Sequence, residues 1–207
     1  VTATGGAASF NSTGVVTVAA GSTLTISDEA VLPSIQNAGT TTVTLAANWT
    51  PTTSTYNNAA NTAFTVNAGS TYSLDLSAIN QGSGFTVVST GTGAITGSAY
   101  ADILTNTSGD ASFTGGDGND TFNANGATTT IADLTTGDVL TVIDGASAIA
   151  NDVSAFVATS ATSNAGSATL NSAAAGSSID LSSATGANGF TVAGGDGADS
   201  VIGTSQA

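Results

Sequence analysis

The strongest constraint on the fold is a nine-residue spacing of large apolar residues in the middle of the chain. The series comprises Ile95, Leu104, Phe113, Phe122, Ile131, Leu140 and Ile149. A short fixed period indicates a solenoid, in which each coil adds strands and turns and its apolar side chains stack on their equivalents in neighbouring coils. We therefore expect an all-β fold, a right-handed parallel β-roll or β-helix solenoid from about Ile95 to Thr141. Leu104, Phe113, Phe122, Ile131 and Leu140 should line its interior.

A longer repeat is also present. The stretch LDLSAINQGSGFTV from Leu74 recurs as IDLSSATGANGFTV from Ile179, and the ITGSAYA that precedes Asp102 corresponds to the terminal VIGTSQA. The next residue due in the second copy is an Asp, so we interpret the chain as a segment of a longer repetitive polypeptide. The expected divisions are an irregular β-rich segment (solenoid or sandwich) at 1–93, a β-roll at 94–141, and a second repeat unit at 142–207 that includes the start of another such β-roll.

The N-terminal part has a weaker pattern. The stretch TTTVTL alternates as a strand does, and Trp49 is interpreted as a core or cap aromatic. Asn57, Asn58 and Asn61, together with Pro51, predict a surface loop. The best candidates for one or two helical turns lie near Glu29 to Ile35 and Ala148 to Val157.

The charge balance limits the possible partners. The chain has 14 acidic residues, no Lys, Arg or His, and a net charge of −14. Nucleic acids and anionic membrane surfaces would be repelled, and no apolar run is long enough to span a bilayer. The absence of Cys and Met, and of any site for trypsin, suits a long-lived secreted protein.

Two glycine-rich stretches concentrate the acidic residues. Residues 115–123, GGDGNDTFN, and 194–202, GGDGADSVI, both fit G-G-x-G-x-D-x-U-x, in which U is a large apolar residue. The glycines allow a tight turn with converging carbonyls, and the Asp adds charge. Since no cationic side chain exists to neutralise these carboxylates, the counter-charge has to come from outside the chain. Hard oxygen donors without His or Cys point to calcium.

These two stretches resemble the calcium-binding nonapeptide of the repeats-in-toxin (hemolysin-type) family of secreted bacterial proteins. The resemblance implies a parallel β-roll with calcium between turns 18 residues apart, and the Asp position recurs at that interval as Asp102, Asp120 and Asp138. The ligands that it implies for the first sites are Asp102, Gly115, Gly116, Asp117, Gly118, Asp120 and Asp138. For the second motif they are Gly194, Gly195, Asp196, Gly197 and Asp199.

Two departures from the family pattern are visible. Ser98 and Tyr100 replace glycines in the turn at 97–102, and the turn at 133–138 reads DLTTGD. At the opposite edge of the roll the equivalent positions are Ala111 and Thr129, which cannot bind calcium as Asp does. That edge is expected to be held by Asn106, Asp110 and Asn125 instead.

The function that these features favour is structural. Without His, Cys or Lys there is no side chain to act as base or nucleophile in the usual way, so we expect no enzyme, and only a carboxylate-only glycosidase remains as a remote alternative. The preferred hypothesis is a calcium-dependent module of a bacterial surface layer, filament or matrix, secreted and self-associating. A cell-surface glycan is a further partner to consider. The alternatives are a spacer repeat of a large adhesin and an ice-binding face built on Thr arrays such as TTTVTL.

Overall fold

The chain folds as a β-solenoid of about ten turns with almost no helix, which confirms the expected all-β parallel class. The computed structural model describes residues 2–4, 15–29, 32, 34–69 and 71–205, and for 2–4 and 27–29 the backbone only. Among the described residues no helix is long and apolar enough to cross a membrane.

The described residues form 22 strands and one short 3-10 helix. The first half contains β1 (Thr2–Thr4), β2 (Val15–Val18), β3 (Thr23–Glu29), β4 (Ser34–Asn37), β5 (Thr40–Leu45), β6 (Tyr56–Asn57), the 3-10 helix Asn61–Ala63, β7 (Phe64–Gly69), β8 (Leu74–Asp75), β9 (Thr86–Ser89), β10 (Ala94–Thr96) and β11 (Ile103–Asn106). The second half contains β12 (Asp110–Thr114), β13 (Thr121–Ala124), β14 (Thr128–Ile131), β15 (Val139–Val142), β16 (Ser147–Val153), β17 (Ala155–Val157), β18 (Ser163–Asn164), β19 (Ser167–Ser172), β20 (Ser178–Asp180), β21 (Thr191–Ala193) and β22 (Ser200–Ile202).

These strands form four sheets along the solenoid. The nine-stranded sheet has the order β1-β3-β5-β7-β9-β11-β13-β15-β18, and the seven-stranded sheet has the order β21-β19-β16-β14-β12-β10-β8. Two three-stranded sheets, β2-β4-β6 and β17-β20-β22, add a third side near either end of the described chain. All pairings between these strands are parallel except that of β1 with β3. The nine-stranded sheet crosses both expected division points, since β9 pairs with β11 and β15 with β18.

The nine-residue apolar series forms the interior of the central coils. Ile95, Leu104, Phe113, Phe122, Ile131 and Leu140 are at most 1% exposed, which confirms the predicted interior. Their strands alternate buried and outward residues, so every second side chain enters the core. In register, Leu104 lies beside Phe122 and Phe122 beside Leu140, so that each coil adds one layer to the stack.

The series ends one step earlier than its spacing suggested. Ile149 is half-buried on the outer face, whereas Ala148 and Ala150 point inward. The connection between β15 and β16 has four residues where that between β13 and β14 has three. The extra residue shifts β16 by one position, so that Ile131 pairs with Ala150 instead of Ile149. A shift of one position moves each strand residue to the opposite face of the sheet, which turns Ile149 outward.

Three local expectations need correction. Residues 148–153 and 155–157 lie in strands β16 and β17 instead of a helix. Of the residues expected in a surface loop, Asn58 is exposed and Asn61 half-buried, but Asn57 and Pro51 are buried. In the other proposed helical segment Glu29 ends β3 and Ile35 lies in β4, while residues 30, 31 and 33 are outside the described part. Trp49, as expected, is in the core, where its ring lies 6.5 Å from that of Phe64.

Candidate functional site

Three successive turns stack at one edge of the solenoid, where the chain leaves the seven-stranded sheet and enters the nine-stranded sheet. They cover residues 97–102, 115–120 and 133–138, and each ends in an Asp immediately before β11, β13 or β15. Because Ile103, Thr121 and Val139 are paired in register, Asp102, Asp120 and Asp138 lie directly above one another. We refer to these three residues as the Asp stack.

Backbone hydrogen bonds link the members of the Asp stack. The N–H of Asp102 donates to Oδ1 of Asp120 at 2.8 Å, and the N–H of Asp120 donates to Oδ1 of Asp138 at 2.8 Å. One coil earlier, the N–H of Phe85 donates to Oδ1 of Asp102 at 2.6 Å. All three side chains are 1% exposed. The stack therefore satisfies backbone donors that would otherwise be buried without a partner.

The second carboxylate oxygens of the Asp stack differ in their partners. Oδ2 of Asp102 accepts hydrogen bonds from the N–H and hydroxyl of Ser98, at 2.6 and 3.0 Å. Oδ2 of Asp138 accepts them from the N–H and hydroxyl of Thr135, at 2.8 and 3.2 Å. Oδ2 of Asp120 accepts no hydrogen bond from any described residue. The turn that fits the nonapeptide pattern is thus the one with an open carboxylate oxygen.

The glycines of this turn make room for that carboxylate and for the tight stacking of coils. A Cβ on Gly115 would overlap Oδ2 of Asp120. Gly116 and Gly118 have φ values of +97° and +124°, in the range that side chains disfavour, and a Cβ on either would meet the backbone of the preceding turn. The glycine pattern therefore follows from backbone geometry, whether or not a ligand is present.

Asp133 belongs to this site, although it is not among the ligands expected from the sequence. Its Oδ1 and Oδ2 accept hydrogen bonds from the N–H groups of Gly115 and Gly116, both at 2.8 Å. The signal was available, since Asp133 follows Gly115 by 18 residues and so occupies the first glycine position of its own turn. Asp117, in contrast, has an exposed side chain and borders an open groove together with Ser98, Gly116 and Asp133.

The electrostatics of the Asp stack are unfavourable to three negative charges. Burial raises the pKa of Asp102 to about 6, although hydrogen bonds from Ser98 and Phe85 act in the opposite direction. Burial, together with the carboxylates of Asp102, Asp138 and Asp133, raises the pKa of Asp120 to about 8, although the hydrogen bond from the N–H of Asp102 acts in the opposite direction. Burial also raises the pKa of Asp138. The chain contains no cationic side chain that could compensate these charges.

The second nonapeptide motif lies at the corresponding exit from the seven-stranded sheet, between β21 and β22. Its turn stacks on residues 173–177, where Ser177 stands at the position of the Asp and accepts a hydrogen bond from the N–H of Ala173 at 3.1 Å. Asp196 and Asp199 are exposed, and the φ values of Gly195 and Gly197 lie outside the left-handed range. Within the described residues this motif is therefore a single acidic turn without an acidic turn stacked on it.

The opposite edge of the central coils is held by a neutral amide. The Nδ2 of Asn106 donates to the carbonyl oxygens of Gly109 and Thr128 and to Oγ1 of Thr129, at 3.0 to 3.2 Å. Asp110 is exposed and Asn125 half-buried, so of the three residues expected there Asn106 is the buried one.

Buried asparagines recur where other strands end. Asn37, Asn57 and Asn164 end β4, β6 and β18, and the Oδ1 of each accepts the N–H two residues ahead at 3.1 to 3.2 Å. Asn106 does the same with the N–H of Ser108. This turn geometry is a known use of Asn, and an Asn closing an alternating strand was the signal that could have revealed these corners.

The donors at the Asp stack fit a hard cation such as calcium in chemical type, since they are carboxylate oxygens with backbone carbonyls nearby. Asp120 Oδ2 is an oxygen that such an ion could use without displacing a hydrogen bond. In the part of the chain that the structure describes, however, no three acidic, His or Cys side chains converge on one point as in a preformed metal site. The four carboxylates affect one another electrostatically but are spread along the stack.

Comparison with known proteins leaves the family open. No protein-family model matches the chain, and no match is found among the curated proteins or the solved structures. The resemblance to the repeats-in-toxin family thus rests on the two nonapeptide stretches and on the 18-residue Asp interval in this sequence.

Proposed function

We propose that this chain is a structural module of a secreted bacterial assembly, a surface layer or filament, whose solenoid is stabilised by calcium at the Asp stack. The observation that carries the proposal is a stack of buried carboxylates in a chain without a single Lys, Arg or His. Buried charges are tolerated when they are paired or bind a metal. An external cation is therefore the simplest way to stabilise this edge.

Asp120 is the residue that we expect to contribute most to cation binding, through its open Oδ2, with Asp102 and Asp138 on either side. Backbone carbonyls of Gly115, Gly116 and Gly118 and the exposed Asp117 are further oxygen donors of the same turn. Bound calcium would supply positive charge and oxygen coordination. The protein residues hold the turn in place and keep the carboxylates out of bulk water.

A structural role is favoured over catalysis by what the carboxylates do in the fold. The Asp stack and Asp133 accept hydrogen bonds from backbone N–H groups, and in doing so they join successive coils. A secreted location is supported by the composition, because a chain without Lys, Arg, Cys or Met resists trypsin-like proteases and oxidation.

The test compares wild type with Asp120→Asn, using Asp144→Asn in an exposed turn as the matched control. Thermal unfolding followed by circular dichroism, with calcium and with a chelator, should show a large calcium-induced stabilisation of the wild type and the control. Asp120→Asn keeps the acceptor for the Asp102 N–H but loses a charge, so its response to calcium should be strongly reduced. Equal responses in all three proteins would overturn the role of the Asp stack.

A spacer in a large adhesin is the second candidate, because parallel pairing continues from β3 to β18 through the nine-stranded sheet and extends the solenoid in one direction. Electron microscopy of calcium-loaded material separates the two. Sheets or bundled filaments support the surface-assembly proposal, whereas separate single rods support the spacer.

A further inference from the structure

The outward side of the nine-stranded sheet is uncharged over β5, β7, β9, β11, β13, β15 and β18, and we call this surface the neutral face. Its first column of outward side chains consists of Thr42, Thr65, Thr86, Ile103, Thr121 and Val139, all half-buried. A second column, two residues further along each strand, runs from Thr44 to Thr141. None of these seven strands contains an acidic residue.

The seven-stranded sheet has a different outer side. Asp75 on β8 is half-buried, and Asp110 on β12 and Asp152 on β16 are exposed. Asp28 and Glu29 end β3, the neighbour of β5 outside the neutral face, and the remaining described acids lie in turns, in the Asp stack or on β20. The sheet β2-β4-β6 is also free of charge, but its strands have only two to four residues. The neutral face is therefore the larger of the surfaces that a strongly anionic chain can present without electrostatic cost.

Polar side chains in the second column of the neutral face form hydrogen bonds with one another. Asn123 Nδ2 donates to Oγ1 of Thr105 at 3.1 Å, and the hydroxyl of Thr141 donates to Oδ1 of Asn123 at 2.6 Å. Asn67 Nδ2 donates to Oγ1 of Thr44 at 3.4 Å. The cost of burying a polar group falls when it already has a partner. Threonine methyls and half-buried Val and Ile side chains supply the apolar contact area.

The area of the neutral face suits one of several contacts that together hold protein copies in an assembly. Seven strands about 4.8 Å apart, with two outward columns roughly 7 Å apart, cover on the order of 500 Å². Two such faces together would bury about 1,000 Å², the lower limit of a specific interface. Contact through the charged turns would be repulsive instead, because like charges placed opposite each other cost several kcal/mol.

We propose that the neutral face is the surface through which two copies of this chain pack against each other, with the acidic turns left at the rim. This inference rests on the proposed self-assembling function and assigns it a surface. The partner is a second copy because it offers the same uncharged columns, one of them hydrogen-bonded within itself, at the same coil spacing.

The test introduces charge on either side of the solenoid. Thr65→Asp and Thr121→Asp on the neutral face should raise the protein concentration needed for assembly in calcium by about tenfold or more, which corresponds to about 1.4 kcal/mol. Thr130→Asp, on the outward side of the seven-stranded sheet, adds the same charge and should assemble as wild type does. Light scattering and electron microscopy give the assembled state, and circular dichroism checks that each variant folds.

A second measurement does not depend on how well the Asp variants fold. Since the chain has no Cys, Thr105→Cys should form disulfide-linked dimers on mild oxidation in calcium, and Thr130→Cys should not. Wild-type assembly that survives charge on the neutral face, without a crosslink at position 105, overturns this inference but leaves the proposed function standing. A wild-type protein that stays monomeric in calcium overturns both this inference and the proposed function. If that monomer shapes growing ice crystals, the neutral face binds ordered water instead of a second copy.

Discussion

At the scale of single residues, the central coils differ from a later coil in the side chain that precedes the strand at one corner. Asp102, Asp120 and Asp138 each accept the backbone N–H of the preceding coil, a task that needs an acceptor but not a charge. Ser177 occupies the same position later in the chain, where its hydroxyl accepts the N–H of Ala173 in its own turn and links to the preceding coil by donating to the carbonyl oxygen of Val153, so an uncharged side chain closes that corner. The choice of Asp in three successive coils therefore adds charge beyond what the fold requires, and this is the physical argument for a cation.

The raised pKa values predict an unusual pH dependence in the absence of calcium. The pKa is about 6 for Asp102 and about 8 for Asp120, against an ordinary 3.8, so between about pH 4 and pH 8 the folded state binds more protons than the unfolded state. The free energy of unfolding should then fall as pH rises through this window and level off above about pH 8. Asp102 alone accounts for about 3 kcal/mol, at about 1.36 kcal/mol per pH unit.

Circular dichroism in a chelator gives the measurement for this prediction. The spectrum should change from coil at pH 8.5 to β-structure at pH 5, and calcium should restore the β spectrum at pH 8.5. Highest stability at pH 8.5 in the chelator would show that the stack is not strained by its charges.

At the scale of strands and turns, connection length decides which side chain enters the core. Three residues between β13 and β14 keep the 18-residue coil, and four between β15 and β16 bring Ala148 and Ala150 inward in place of Ile149. Small alanines are accommodated where the solenoid changes from two sides to three, since β17 begins directly after β16.

Two truncations should separate the interior series from its apparent last member. Phe122→Ala removes a fully buried ring between Leu104 and Leu140 and should cost about 3–5 kcal/mol of unfolding free energy. Ile149→Ala, on the half-exposed outer side, should cost less than about 1.5 kcal/mol. Urea unfolding in saturating calcium provides both values, and similar losses for the two variants would contradict the register described for β16.

At the scale of the whole molecule, charge and hydrogen bonding are divided between different surfaces. The acids lie mainly in turns, on the seven-stranded side and at the end of β3, while the neutral face carries no acid and forms hydrogen bonds between its own side chains in its second column. A chain of net charge −14 built in this way can pack on its neutral side and bind cations at its turns.

The assembled material should depend on calcium and not on ionic strength alone. Chelation should dissolve it, and trypsin should leave the chain intact, because there is no Lys or Arg to cleave after. Sodium chloride at equal ionic strength should fail to restore assembly, since screening supplies no ligand bridges. Turbidity and electron microscopy after dialysis test this, and full recovery in sodium chloride would replace ion bridging by simple screening.

The amino-acid sequence by itself determined the solenoid and its central interior, because a nine-residue apolar period can be buried only when successive coils stack in register. It also placed Asp102, Asp120 and Asp138 one coil apart, since the coil length there is constant at 18 residues. Only the tertiary structure decided the rest. Asp133 reaches the turn of the preceding coil, Ile149 turns outward, and Thr42, Thr65 and Thr86 align although 23 and 21 residues separate them in sequence. The physical reason is that loops of any length can be absorbed at the corners, whereas hydrogen bonding between parallel strands holds neighbouring side chains in column.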